Sequence, residues 1–199
     1  SKVPLIIDTN EQFIAISSGA YHTCALKKDN SLRCWGRNDF GQIGSGAAHY
    51  HGSIKNFEQE VKYKQISLGD YHSCALTVDD MVKCWGKNDF GQIGIGNQEP
   101  MLKPMLVSTN LKFKKIKTGR HHTCASSLNN ELYCWGRNNY FQISNKELVN
   151  ILTPELILKL SPNSDFQLGE FSTCFSKPGK LGCRGFHWIQ NTRSPANNN

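Results

Sequence analysis

No stretch of eighteen or more apolar residues occurs in the 199-residue sequence, which excludes a membrane-spanning helix. Acidic residues are scarce: 16 Asp+Glu stand against 23 Lys+Arg, a net charge of +7. The Gly-x-Ser-x-Gly, His-Glu-x-x-His and phosphate-loop motifs are all missing. No acidic pair recurs at a spacing that would turn two carboxylates toward one site, so the sequence reads as non-catalytic and without a cofactor. Cysteines two to four residues apart, the zinc-knuckle signature, do not occur. Neither does an Asn-x-Ser/Thr sequon, which suits a bacterial source. The first ten residues show no signal peptide, so the chain is read as mature or trimmed. What is present is 38% apolar and 10% aromatic, enough to build a core and too much for a disordered chain.

Internal repetition organises everything else. HTCALKKDNSLRCWGRNDFGQIG begins at His22, HSCALTVDDMVKCWGKNDFGQIG at His72 and HTCASSLNNELYCWGRNNYFQIS at His122, a period of 50 residues. A worn fourth copy, FSTCFSKPGKLGCRGF, begins at Phe171 with one residue deleted before Cys183. The linking segments repeat too: Val3–Gly19 overlays Lys103–Gly119, with Pro4/Pro104, Phe13/Phe113 and Ile16/Ile116 aligned. The units are short, rich in β-branched and aromatic residues, and punctuated by Gly, Asn and Asp, which predicts strands. Leu148–Leu160 has an amphipathic look, but Pro154 sits in its middle and predicts strand plus loop. Repeats of this length with about four strands each predict an all-β propeller of four blades in one domain, residues 1–190. The expected hairpin cores are 19–46, 69–96, 119–144 and 169–188, with a flexible tail at 191–199. An N-terminal strand is then free to complete the last blade and close the ring into a monomer. The alternative is an arc whose raw faces associate as paired arcs or in a larger assembly.

Eight cysteines form four pairs, one per repeat. Each pair flanks a turn. In the first three the midpoint implies a three-residue loop ending at Asn30, Asp80 or Asn130, and in the fourth a two-residue turn at Pro178-Gly179. Stepping outward from the turn places the cysteines opposite each other in a non-hydrogen-bonded pair. The expected bridges are Cys24–Cys34, Cys74–Cys84, Cys124–Cys134 and Cys174–Cys183. They imply a secreted, periplasmic or cell-surface protein. Zinc ligation through the recurring His-x-Cys pairs and reduced structural thiols stand as alternatives, although the fourth copy lacks the His.

Among the other recurring residues, Trp35, Trp85 and Trp135 read as core between blades. Gly36, Gly86, Gly136 and Gly185 read as tight turns or close backbone approach. His22, His72 and His122 read as buried groups bonded to a neighbouring blade's backbone. Arg37, Lys87 and Arg137 would form a ring of cations on one face, with solvation as the simpler reading. Two irregular features are candidate ligand sites, because binding loops vary over a rigid scaffold. One is the Ala47–His51 segment, where His49, Tyr50 and His51 read either as an ordinary exposed loop or as a site to stack on a sugar or bind a metal. The other is the run Lys112, Lys114, Lys115, Lys117 and Arg120, either a solvated strand edge or a patch for an anionic partner. Nucleic acid is the weaker choice of partner.

The unit H-[TS]-C-A-L…C-W-G-[RK]-N-D-F-G-Q-I-G resembles the repeat of the regulator of chromosome condensation family over roughly Val3 to Phe186. The resemblance implies a β-propeller of about fifty residues per repeat. The paired cysteines look like the secreted or bacterial branch. The best-known members have seven blades, where four are counted here. Family functions range from nucleotide exchange to secreted β-lactamase inhibitors, so the fold assigns none of them. No insertion interrupts the even spacing to supply the wedge of an exchange factor. The expectation is an extracellular recognition module for a glycan or protein, in an adhesin-tip or effector-like setting. A protein inhibitor or scaffold comes next, and an exchange-factor-like regulator last.

Overall fold

The hairpin turns translate most directly from sequence to structure. In the computed structural model, which describes residues 10–56 and 60–186, Asn30, Asp80 and Asn130 have φ of 65°, 69° and 62°. This is the left-handed conformation expected at the end of a three-residue loop, on residue types that tolerate it. The fourth turn is the shorter one, with Lys177 opposite Lys180 and Gly179 at φ 68°. In every hairpin the register sets Cys against Cys. The four expected disulfides are formed, with Cα atoms 4.1 Å apart in the first three and 4.0 Å in the fourth. That is the close spacing of a non-hydrogen-bonded pair. No cysteine is left for the free-thiol or zinc readings.

Four antiparallel sheets result, each with its strands in sequence order. The first holds β1 (Phe13–Ser18), β2 (His22–Lys27), β3 (Leu32–Asn38) and β4 (His49–Asn56). The second holds β5 (Tyr63–Leu68), β6 (His72–Thr77), β7 (Val82–Gly86) and β8 (Met101–Leu106). The third holds β9 (Phe113–Thr118), β10 (His122–Ser127), β11 (Glu131–Gly136) and β12 (Ile151–Lys159). The fourth shows three strands among the described residues: β13 (Phe166–Leu168), β14 (Ser172–Lys177) and β15 (Lys180–Gly185). No helix occurs among the described residues.

The core lies between sheets rather than within one. Leu26, Leu32, Ile43 and the Cys24–Cys34 bridge of the first sheet meet Tyr63, Ile66, Leu68 and Trp85 of the second. The second sheet repeats this against Phe113, Ile116 and Trp135, and the third against Phe166 and Phe175. Full burial of one such side chain is worth about 1.5–3 kcal/mol, so each junction is a substantial part of the stability. Backbone bonds cross the same seams: Tyr63 N–H donates to Asn30 C=O (2.7 Å) and Phe113 N–H to Asp80 C=O (2.8 Å). Gly69 shows how closely the inner strands converge. A Cβ there would stand 2.2 Å from His72 Cε1 and 2.7 Å from Gly119 O. At Gly169, by contrast, no carbonyl of another sheet comes within 4 Å among the described residues.

Two readings of the sequence need correction. Leu148–Leu160 is not interrupted at Pro154: β12 runs through it, because an outer strand has a free edge where Pro need not donate. The Ala47–His51 segment is not all loop either. β4 begins at His49, pairing His49 with Asn38 and His51 with Arg37. Ring closure by an N-terminal strand and the tail at 191–199 both lie outside the described residues.

Candidate recognition face

The recurring polar residues first build a rigid edge for each blade. Asn38 Nδ2 donates to Ala47 C=O (2.8 Å), and its Oδ1 accepts from Ile43 N–H (3.0 Å). Gln42 Oε1 accepts from Phe40 N–H (2.9 Å). Asn88/Gln92 and Asn138/Gln142 repeat these bonds. Two side chains thus satisfy the loop backbone that follows β3, β7 and β11, and the loop is held in one shape.

The histidines join blades. His22 Nε2 lies 2.8 Å from the Ser73 hydroxyl, which donates to Gln42 C=O (2.7 Å). Because that hydroxyl proton is already committed, His22 Nε2 must be the donor, and the ring is neutral. His72 and Thr123 repeat the relay to Gln92 C=O, and His122 reaches Thr173. Burial lowers the pKa of His22 to about 4 and of His122 to about 3, and holds His72 well below its usual value. The second lone pair of each Gln carbonyl takes an indole N–H, Trp85 on Gln42 and Trp135 on Gln92 (2.9 Å each). In the fourth sheet Arg184 replaces the Trp and donates to Ile143 C=O (2.9 Å). The tryptophans at the two inner junctions are therefore core, as expected. The histidines are bonded across blades too, through side-chain hydroxyls, and His122 also through the backbone of Ser172.

On the face opposite the hairpin turns, these supports present a ladder of rings and cations. Tyr21, Tyr71, His121 and Phe171 each accept, through their carbonyls, the backbone N–H of Arg37, Lys87, Arg137 and Phe186 respectively (2.8–2.9 Å). Tyr21 and Tyr71 stack at 4.9 Å, with the Arg37 guanidinium 5.3 and 5.5 Å from their centroids. Lys87 lies 4.7 Å from the Phe40 centroid, and Phe40 meets Tyr71 edge-on at 5.5 Å. Phe90 meets His121 at 5.1 Å, and Tyr140 meets Phe171 at 4.7 Å. Contacts between cation and ring at these distances are worth about 0.5–1 kcal/mol each where exposed. Tyr21, Tyr140, Phe141 and Phe186 remain exposed. The ladder continues across all four sheets.

Sequence reasoning saw the cations of this face but not its rings. The signal was available: an aromatic or His precedes the recurring His-x-Cys position in every copy, and Phe or Tyr stands six residues after the second Cys in three. The predicted site residues lie elsewhere. His49 is exposed at the start of β4, and the side chains of Tyr50 and His51 lie outside the described residues. The basic run is spread over contacts to three sheets. Lys112 donates to Asp79 C=O (2.6 Å), Lys114 to Asn130 and Lys115 to Asp165 (2.5 Å). Arg120 pairs with Asp70 (2.8 Å) and with Glu170. This last cluster rims an open cavity of about 350 Å³ where the inner strands converge, lined by Gly19, Gly69, Gly119 and Gly169. Burial raises the pKa of Asp70 there, against the pull of Arg120. Lys117 lies on β9, and its charge acts with that of Lys115 to lower the pKa of Asp165.

Among the described residues no group of three or more His, Cys, Asp or Glu is placed to hold a metal ion. Nor is any helix there long and apolar enough to cross a membrane, which with four disulfides is compatible with an extracellular protein. The fold is similar to that of human WBSCR16 (16% identity, 90% of this chain and 49% of that one, TM-score 0.78). It is also similar to Saccharomyces cerevisiae Prp20p, studied for its binding to Gsp1p and histones (24% identity, 87% and 43%, TM-score 0.68). A third similar structure is the ectodomain of the Physcomitrella patens receptor kinase CR4 (23% identity, 90% and 42%, TM-score 0.59). The chain thus spans about half the length of the solved structures it matches. Models of the regulator of chromosome condensation (RCC1) repeat match residues 13–42, 63–92 and 113–142, and residues 29–76 and 79–126. With the repeated hairpins, inter-blade relays and sheet order in place, the chain belongs to the regulator of chromosome condensation repeat family.

Proposed function

We propose that the chain is a non-catalytic recognition module that works outside the reducing cytosol and binds a protein through its aromatic–cationic face. The observation that carries this reading is the ladder itself. Tyr, Phe and Arg, the residue types enriched where proteins bind each other, are held there on rigid loops. Rigid presentation keeps the entropic cost of ordering them on binding small. Four disulfides favour an oxidising compartment, and a receptor-kinase ectodomain has a similar fold. A glycan ligand, in an adhesin-like setting, is the second reading, favoured by the exposed Tyr21 and Tyr140 rings that a sugar can stack on.

Photo-crosslinking tests the reading. A benzophenone side chain at Tyr140 is expected to capture a protein from the extracellular milieu, and one at Leu128, on the hairpin-turn face, is not. Equal capture from both positions counts against the face. Saturable binding on a glycan array, abolished by Tyr21→Ala with Tyr140→Ala, moves the assignment to sugar.

A further inference from the structure

The three cations of the face are not equivalent in charge. Arg37 is clamped by Asp39, with Nε 2.8 and 2.7 Å from its two carboxylate oxygens and Nη2 at 2.6 Å. The hydrogen bond from Arg37 holds the Asp39 carboxyl below its usual pKa. Lys87 is paired with Asp89 at 2.9 Å. In the third copy the equivalent position is Asn139, and no carboxylate among the described residues lies within 4 Å of Arg137. Its Nε is buried without a hydrogen-bond partner. Phe90, Tyr140 and Phe171 wall the guanidinium at 4.9, 5.4 and 5.7 Å from their centroids. A guanidinium set among three rings is partly desolvated and compensated by ring contacts but by no carboxylate among the described residues, so an incoming anion gains more there than at an ordinary surface Arg. The local field has the same sign. His121 is kept neutral, its pKa lowered to about 4 by burial and then by the charges of Arg120, Arg137 and Lys87.

We propose that Arg137 is the anchor of a carboxylate-binding site, taking an Asp or Glu side chain of a protein partner between the rings of Phe90, Tyr140 and Phe171. The proposal rests on the reading of this face as a protein-binding surface. A carboxylate fits better than a phosphate because, of the three cations of this face, Arg137 alone has no carboxylate partner among the described residues. Lys87 is held by Asp89, and Arg120 by Asp70 and Glu170, so a dianion would find one partner where it needs several. The site is the negative image of the first blade, where the chain's own Asp39 already occupies the guanidinium.

The test uses fluorescein-labelled hexaglutamate as probe and hexaglutamine as control, with the Arg137 Nε–Hε resonance followed by NMR. Saturable, salt-sensitive binding that shifts this resonance is expected for hexaglutamate only. Asn139→Asp, an exposed change that restores the internal carboxylate, weakens it about tenfold or more, as does Arg137→Gln. Absence of saturable binding, or affinity unchanged in Asn139→Asp, overturns the site. Competition by inorganic phosphate at lower concentration than acetate overturns the choice of carboxylate. Binding that survives Asn139→Asp but is lost in Phe90→Ala overturns the anion site while leaving the protein-binding face standing.

Discussion

The inner strand of the first sheet and those of the second and third carry nearly the same residues and meet different fates. Phe113 and Ile116 on β9 are both 0% exposed, while their counterparts Phe13 and Ile16 on β1 are 40% and 68% exposed. The trailing edge of the fourth sheet mirrors this: Leu181 is 84% exposed, where Leu132 is 0%. Thr23 is only partly buried and touches Ser18 (3.3 Å), while Thr123 is fully buried between His72 and Gln92. A blade of this kind does not bury its own faces. Its neighbour does, and the described residues of the fourth and first sheets do not pack on each other as consecutive sheets do.

The sharpest way to break the comparison is to place a charge at equivalent positions. Ile116→Asp is expected to cost about 4 kcal/mol or more in urea unfolding, since it buries an unpaired carboxylate, and Ile16→Asp less than about 1 kcal/mol. Equal losses would mean that β1 is covered in solution. Concentration-dependent sedimentation, relieved by Ile16→Asp, would identify the cover as a second copy.

Between pH 7 and pH 4 acid acts chiefly on the junctions that carry a buried histidine. His22 titrates near 6.5 when unfolded and about 4 when folded, so between these values the unfolded chain binds more protons and stability falls as pH drops. The loss for His22 alone is roughly 3 kcal/mol across that window, with His72, His121 and His122 adding to it and the fourth sheet, with Ser172 in this place, adding no histidine. Melting temperatures from pH 7 to pH 4 read this directly, and a flat profile would break the relay assignment.

Reduction should separate the bridges. Cys24–Cys34, Cys74–Cys84 and Cys124–Cys134 are fully buried, whereas Cys183 is exposed. Limited dithiothreitol with alkylation and mass spectrometry is expected to open Cys174–Cys183 first. Each inner bridge then contributes about 2–3 kcal/mol that full reduction removes. The smallest contrast is Thr123→Ala at about 1–2 kcal/mol, from stranding His72 and Gln92, against a few tenths for Thr23→Ala.

How far the sequence could be read follows from the range of the forces. Cys24 and Cys34 are joined by a turn whose length is visible in the chain, so their pairing was legible, as was the left-handed residue at Asn30. The aromatic–cationic face was not. Tyr71 meets Phe40, and Arg137 meets Phe90 and Phe171, across gaps of more than thirty residues that no local pattern reports. The basic run at Lys112–Arg120 stood out because it is contiguous, yet its cations reach partners on three sheets.

By itself the sequence determined the repeat, which shows as copies set 50 residues apart, and the strand pattern, turn types and covalent staples, because each of these depends on residues within about a dozen positions of one another. Only the tertiary structure decided which copies of a residue are buried, which histidine proton is committed, and which rings wall each cation of the face. Those outcomes depend on what the adjoining blade places across the seam, and identical motifs meet different neighbours there.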